Sequence, residues 1–183
     1  MLTSHYFFAL SLPEETKRYI DGWIEPMKEQ DSFKKWVHPA DYHLTLAFLG
    51  SAEDLGPVMD KVGDLVYPSF PLTLGRFGTF GKSDSPRILW MGVEHSDALH
   101  RLRDLVYGSC EEAGFQLDKR PFSPHITVGR KWDEGFAFTP GWLNEFQPTE
   151  SHAFTATKMV LYQTHHDRLP KYEAIHTIPL QAN

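Results

Sequence analysis

The sequence predicts an α+β protein of two pseudo-symmetric lobes, each an antiparallel sheet backed by helices, and three observations carry that expectation. A His-x-Thr triplet occurs twice, in HLTLAFLG (43–50) and in HITVGR (125–130), 82 residues apart (125 − 43). Sliding the chain by that interval lays strand-like segments on strand-like segments and one helical pattern on another. Finally, 183 residues with 41% hydrophobic and 14% aromatic content supply one sizeable core, with no linker long enough to separate two independent domains.

Taken in order, HYFFALSL (5–12) is short, apolar and aromatic and reads as a strand. Pro13, Glu14 and Glu15 then open a helix over PEETKRYIDGWIEPMKEQ. Proline is tolerated in a first turn, and acidic side chains suit the positive end of the helix dipole. The first triplet strand follows. Residues 51–67 read as helix despite Gly56 and Pro57, and FPLTLGRF (70–77) alternates as a half-buried strand should.

The second half repeats that order. RILWMGVE (87–94) falls on the first strand, Ser96 or Asp97 caps a helix that Gly114 ends, and Pro39 falls on Pro121. Ile20, Trp23 and Ile24 fall on Leu102, Leu105 and Val106, one apolar i, i+3, i+4 face in register. FPLTLGRF falls on HAFTATKM (152–159), whereas 131–149, rich in aromatics, Pro and Gly, reads mainly as loop. KYEAIHTIP (171–179) is expected to pair back on 152–163 across HHDRLP. The organisation expected is one domain over 1–183, with pseudo-repeats at about 5–80 and 87–163 and a closing strand at about 171–179.

A net charge of −6 argues against a broad electrostatic grip on a nucleic-acid backbone, which draws on many Lys and Arg contacts to phosphates, but it leaves a nucleic-acid end or a small phosphorylated ligand open. Cys110 is the only cysteine, so neither an intramolecular disulfide nor a thiolate metal cluster is available, which suits a reducing compartment. The opening residues lack a basic n-region and a small-residue cleavage site. A cytoplasmic, soluble monomer with no membrane association is expected.

Side chains on a strand alternate between faces, so His43 shares a face with Thr45, and His125 with Thr127, while Leu44, Leu46, Ile126 and Val128 point to the core. Two imidazoles and two hydroxyls about one cleft suit phosphoryl chemistry without a metal. An in-line displacement needs a base on the entering oxygen and an acid on the leaving one, and histidine titrates near neutrality. The threonine hydroxyls would donate to phosphate oxygens. Arg130 breaks the symmetry, since the shift places it on Phe48, and its planar fork suits a phosphate. Strict alternation from His125 aims Arg130 away from the cleft, so this reading requires the strand to end or twist at Gly129.

With these residues in place the chain resembles the two-histidine phosphoesterases, and within them the bacterial and archaeal RNA 2′,3′-cyclic phosphodiesterases formerly described as 2′-5′ RNA ligases. The resemblance runs through FFALSLP, WVHPADYHLTLAFLG, FGTFGKSDSPRILWMGV and RPFSPHITVGR, in family order over nearly the whole chain. It implies a bilobal fold with the site in the groove between lobes and hydrolysis of an RNA-terminal 2′,3′-cyclic phosphate to a 2′-phosphate. It further implies His43 as general acid, His125 as general base, Thr45, Thr127 and Arg130 as phosphate holders, and no cofactor or metal.

Phe8 and Phe122 flank the triplets in sequence and are candidates to stack on a nucleobase, with core or rim packing as the alternative. His38 and Tyr42 are better read as packing or turn residues, and His165-His166-Asp167 as a solvated hairpin tip, since neighbours on an extended chain point apart. Three other activities compete. The same site could join the cyclic phosphate to a 5′-hydroxyl, the chain could be a non-catalytic module for RNA ends or nucleotides, or it could be a metal-dependent phosphatase. The last is disfavoured by the lack of clustered carboxylates near the triplets.

Overall fold

The structure, a computed structural model, describes residues 4–30 and 32–182. Its strands form two antiparallel sheets. The first contains β1 (His5–Ser11), β3 (His43–Ser51), β8 (Lys158–Thr164) and β9 (Tyr172–Pro179) in the order β3-β1-β8-β9. The second contains β2 (Phe33–Trp36), β4 (Phe70–Gly81), β5 (Pro86–Val93), β6 (His125–Trp132) and β7 (Ala153–Ala156) in the order β2-β6-β5-β4-β7.

The duplication is legible in those orders. Setting β2 aside, β3-β1-β8-β9 matches β6-β5-β4-β7 position by position, with each triplet strand beside the strand that opens its own half. The later strands are exchanged: β4, from the first half, lies in the second sheet, and β8, from the second half, lies in the first. The chain makes that passage at Thr157, between β7 and β8. β9 pairs with β8 from Tyr172↔Thr164 to Pro179↔Lys158, the closing hairpin the sequence predicts. No helix among the described residues is long and apolar enough to cross a membrane.

Helix α1 (Glu14–Lys28) buries Thr16, Ile20, Ile24 and Met27 and runs on through Pro26 for its last turn. Thr16 Oγ1 lies 2.9 Å from His152 Nε2, just ahead of β7, which ties α1 to the second sheet. Helix α3 (Asp97–Glu112) is capped by Ser96, whose hydroxyl accepts from Leu99 N, and packs against β3 and against helix α2 (Gly56–Val62). Its buried face is Leu99, Leu102, Val106 and Cys110. Leu105, predicted on that face, is 47% exposed instead. The stripe advances by 3, 4 and 4 residues, close to the helical period, and a residue three beyond Leu102 falls off its edge. Gly114, at φ +94°, provides the left-handed residue that ends the helix.

Residues 131–149 are more ordered than their composition suggests. β6 extends to Trp132, and a short helix α4 (Pro140–Asn144) starts at Thr139, whose hydroxyl accepts from Trp142 N. Trp132, Phe138 and Trp142 pack ring against ring there, so aromatic burial takes the place of local propensity. β2 has no counterpart in the sequence reading. Its four residues, FKKW, are too short for a periodic pattern and gain their hydrogen-bond partners from β6.

Candidate active site

Each triplet histidine opens its strand and is clamped in the same way. His43 Nδ1 lies 2.7 Å from Asp41 O, and His125 Nδ1 lies 2.7 Å from Ser123 O. A carbonyl only accepts, so Nδ1 carries the hydrogen in both rings and Nε2 is left as the reactive nitrogen. Asp41 and Ser123 are themselves related by the 82-residue shift, so the clamp is part of the duplication. Beyond the clamp the halves diverge, since His43 Nε2 stands 3.1 Å from Thr45 Oγ1.

The position of Arg130 resolves through the register of β6. Trp90 pairs with Thr127 and Leu89 with Gly129, so Val128 is an unpaired bulge residue. Arg130 pairs with Ile88, two residues from Trp90, and therefore shares the face of Thr127 and His125. The predicted twist is thus a bulge one residue earlier than Gly129. β3 has the same bulge at the equivalent residue: Ala9 pairs with Thr45 and Phe8 with Ala47, leaving Leu46 unpaired. It turns Phe48 to the face of His43, where the ring is 55% exposed. Both triplet strands therefore present three residues on one face, His43, Thr45 and Phe48 from β3, His125, Thr127 and Arg130 from β6.

The two imidazoles sit in different surroundings. The ring of His43 lies 4.7 Å from that of Phe7, 5.1 Å edge-on from Tyr172 and 6.0 Å from Tyr162. Burial lowers its pKa to about 4; the positive charges of His125 and Arg130 act in the same direction, and the Asp41 carbonyl and carboxylate oppose them. Both His125 and Arg130 act on His43 electrostatically, and β3 and β6 lie against each other across the two sheets. His125 is flanked by Phe80, 4.9 Å away edge-on and 37% exposed, and by Trp90 at 6.4 Å. Trp90 lies flat across Gly78, where a Cβ would come within 2.2 Å of its ring, so only glycine admits that indole to the groove floor.

Asp41 does more than clamp His43. Its carboxylate, 4% exposed, accepts from Lys171 N at 2.8 Å and Tyr172 N at 3.1 Å, fixing the start of β9 beside the imidazole. Burial raises the Tyr172 pKa, against which the Arg130 guanidinium acts at its hydroxyl. Sequence reasoning missed Phe7, Phe80, Asp41, Tyr162 and Tyr172. A signal existed for some of them, because the shift that pairs the histidines also pairs Phe80 with Tyr162, and both lie beside a triplet histidine.

Neither predicted stacking residue presents a face to the groove. Phe8 is wholly buried, because the residues of β1 alternate and Phe7 takes the groove side. Phe122 packs against His100 at 5.3 Å and under the Arg103 guanidinium at 5.2 Å, on the α3 side of the molecule. His38 caps the turn Pro39–Asp41 by accepting from Ala40 N, Tyr42 is buried, and His165 pairs with Glu173 at the hairpin. Among the described residues no three His, Cys, Asp or Glu side chains are placed to share a metal ion.

Two antiparallel sheets meeting at a groove with one His-x-Thr strand from each define the architecture of a paired-histidine phosphoesterase. Comparison with known proteins narrows the class. The model of the 2′-5′ RNA ligase superfamily matches residues 15–168, and the chain belongs to that family. The RNA 2′,3′-cyclic phosphodiesterase of Geobacillus stearothermophilus is 41% identical over 98% of this chain, which spans 58% of that protein's length. The RNA 2′,3′-cyclic phosphodiesterase of Bacillus subtilis is 35% identical over 93% of both chains. Among solved structures, E. coli LigT complexed with 3′-AMP superposes with a TM-score of 0.82 at 26% identity, over 98% of this chain and 99% of that one.

Proposed function

We propose that this protein hydrolyses a 2′,3′-cyclic phosphate at an RNA end to a 2′-phosphate, without a metal. The observation that carries the reading is the identical presentation of the two imidazoles, each with Nδ1–H held by the carbonyl two residues upstream and Nε2 directed away from that carbonyl. The names of the Geobacillus and Bacillus relatives support the same substrate. In the proposed step a water oxygen attacks phosphorus in line with the 3′ oxygen, and His125 Nε2 takes the water proton. The P–O3′ bond breaks as His43 Nε2 delivers a proton to O3′, leaving a 2′-phosphate and a free 3′-hydroxyl. Arg130 and the hydroxyls of Thr45 and Thr127 hold the non-bridging oxygens, where charge is concentrated.

The depressed pKa of His43 adds a condition to its acid role. The unliganded imidazole is neutral near pH 7, so it takes up its proton as the phosphate anion enters beside it and offsets the charge of Arg130. Phe80, exposed beside His125, takes over the stacking role that Phe8 and Phe122 cannot fill.

The reading extends to a monomer working in the cytoplasm. Cys110 is buried, with its thiol pushed up to about 12, and so forms no intermolecular bridge. The test is incubation of an oligonucleotide ending in a 2′,3′-cyclic phosphate with the protein in excess chelator. A 2′-phosphate product is expected, and a 3′-phosphate or dependence on added metal would overturn the reading. The family's ligase description keeps 2′-5′ joining in view, with a 5′-hydroxyl replacing water at the same site. Adding a 5′-hydroxyl acceptor to the same incubation separates the two products.

A further inference from the structure

Beside Arg130, and distinct from the histidine pair, the groove opens into a recess between β2 and the start of β9, lined among others by Lys35, Trp36, His38, Arg130, Lys171 and Tyr172. Its charge is unlike that of the rest of the molecule. On a chain of net charge −6, three permanent cations converge here, and none of them stands within salt-bridge distance of a carboxylate among the described residues. The one carboxylate in the lining, that of Asp41, is already engaged by the backbone N–H groups of Lys171 and Tyr172.

A second, independent observation concerns register. Lys35 pairs directly with Arg130 across β2 and β6. Residues opposite one another on antiparallel strands point to the same face at about 5 Å between Cβ atoms, and like charges so placed repel and destabilise the sheet. Both side chains are exposed, and among the described residues neither stands within salt-bridge distance of a carboxylate. Such a pair is tolerated where an anion lies between the two groups. His38 adds a neutral donor, because its Nδ1 accepts from Ala40 N and Nε2 therefore carries the ring hydrogen.

We infer that the recess formed by Lys35, Lys171 and Arg130 is a subsite for a second phosphate, the 5′-phosphate of the nucleotide whose 2′,3′-cyclic phosphate lies between the histidines. The identification rests on the proposed function. A chain ending in a cyclic phosphate carries its other phosphates only on the 5′ side, so an anion site next to the reacting one takes the phosphate joining the last nucleotide to the one before it. Arg130 then touches both phosphates, while Lys35 and Lys171 touch only the second. The protein would discriminate in favour of RNA ends, and against free nucleoside 2′,3′-cyclic phosphates, through this contact.

The test compares adenosine 2′,3′-cyclic phosphate with the same compound bearing a 5′-phosphate. The 5′-phosphate should raise kcat/KM on the order of tenfold, the yield of charge-assisted contacts discounted for exposure. In the double variant Lys35→Ala/Lys171→Ala, which leaves only Arg130 at the second phosphate, the ratio between the two substrates should fall by about threefold or more. Equal kcat/KM values for the two compounds in the unaltered protein, or a ratio that survives the double variant, would overturn the subsite. Should neither compound be hydrolysed, the proposed function fails, but calorimetric binding of adenosine 2′,5′-bisphosphate against adenosine 2′-phosphate still decides the recess by the same ratio. Relief of the Lys35–Arg130 repulsion should also make Lys35→Ala/Lys171→Ala melt no lower than the unaltered protein, which shows that a lost ratio is not lost folding.

Discussion

The two triplet strands share a frame and differ in what surrounds it. β3 and β6 begin on a histidine whose Nδ1 is held 2.7 Å from a carbonyl two residues back, and both bulge at the third residue after it. Past the bulge β3 offers Phe48 and β6 offers Arg130. On one side Phe7, Tyr162 and Tyr172 enclose the imidazole; on the other Phe80 leaves it open. What duplication preserved is the presentation of two like nitrogens to one groove. What divergence added is a difference in surroundings, with burial that keeps His43 neutral near pH 7 and a guanidinium that stands on one strand only. A symmetric pair of imidazoles has no fixed acid and base, whereas this pair has different environments.

The strongest way to break the comparison is to remove one imidazole. His43→Ala or His125→Ala should lower kcat for a cyclic-phosphate nucleotide by roughly a hundred- to ten-thousand-fold, the usual contribution of a positioned acid or base. The double variant should be little worse than either single one, because the two groups act in one step. A double variant whose loss is the product of the two single losses would show that the histidines act independently.

Arg130 tests the asymmetry itself. Arg130→Phe would make the second strand end as the first does, and should reduce kcat/KM by about ten- to a hundredfold through loss of a charge-assisted phosphate contact. Adding Phe48→Arg to that variant moves the guanidinium to the equivalent position of the other half. If position relative to the acid and base matters, activity stays low. If it is restored, the groove is functionally symmetric and the differences between the strands carry no role assignment.

The duplication, the triplets, their shared face and the closing hairpin were legible because each is local or periodic. Three features were not. The bulge at Val128 is a register fault between two strands, and no pattern within HITVGR announces it; alternation alone sends Arg130 to the wrong face. Its echo at Leu46 appears only once both strands are paired with their neighbours. The exchange of β4 and β8 between sheets is topological, since each reads as the same alternating strand whichever sheet it joins. The stacking candidate failed by one residue of phase, Phe8 for Phe7, in an aromatic run where both faces of the strand are apolar and burial cannot be assigned from sequence. Lys35, Asp41 and Lys171 come to the groove through pairing and turns far apart in the chain, and nothing about them individually marks them out.

The smallest effect is also the one that sharpens the comparison most. Burial holds His43 neutral down to about pH 4 in the unliganded protein, well below the ordinary value of 6.5. The direction matters. As pH falls through that lower value His43 holds a proton even in the unliganded protein, and the singly protonated pair that the reaction needs gives way to one without a base. The acid-side limb of kcat/KM should therefore fall near pH 4 rather than near 6.5, and Phe7→Ala, by admitting water to the ring, should move it upward. Binding adds a second readout. If His43 is the acid, the cyclic phosphate must raise its pKa enough to draw a proton from solution. Calorimetry of adenosine 2′,3′-cyclic phosphate binding to the inactive His125→Ala variant at pH 6, in buffers of different ionisation enthalpy, should then show uptake approaching one proton per complex. Binding without proton uptake would mean that His43 stays neutral in the complex. In that case its enclosure suits a base, and the roles of the two strands are exchanged.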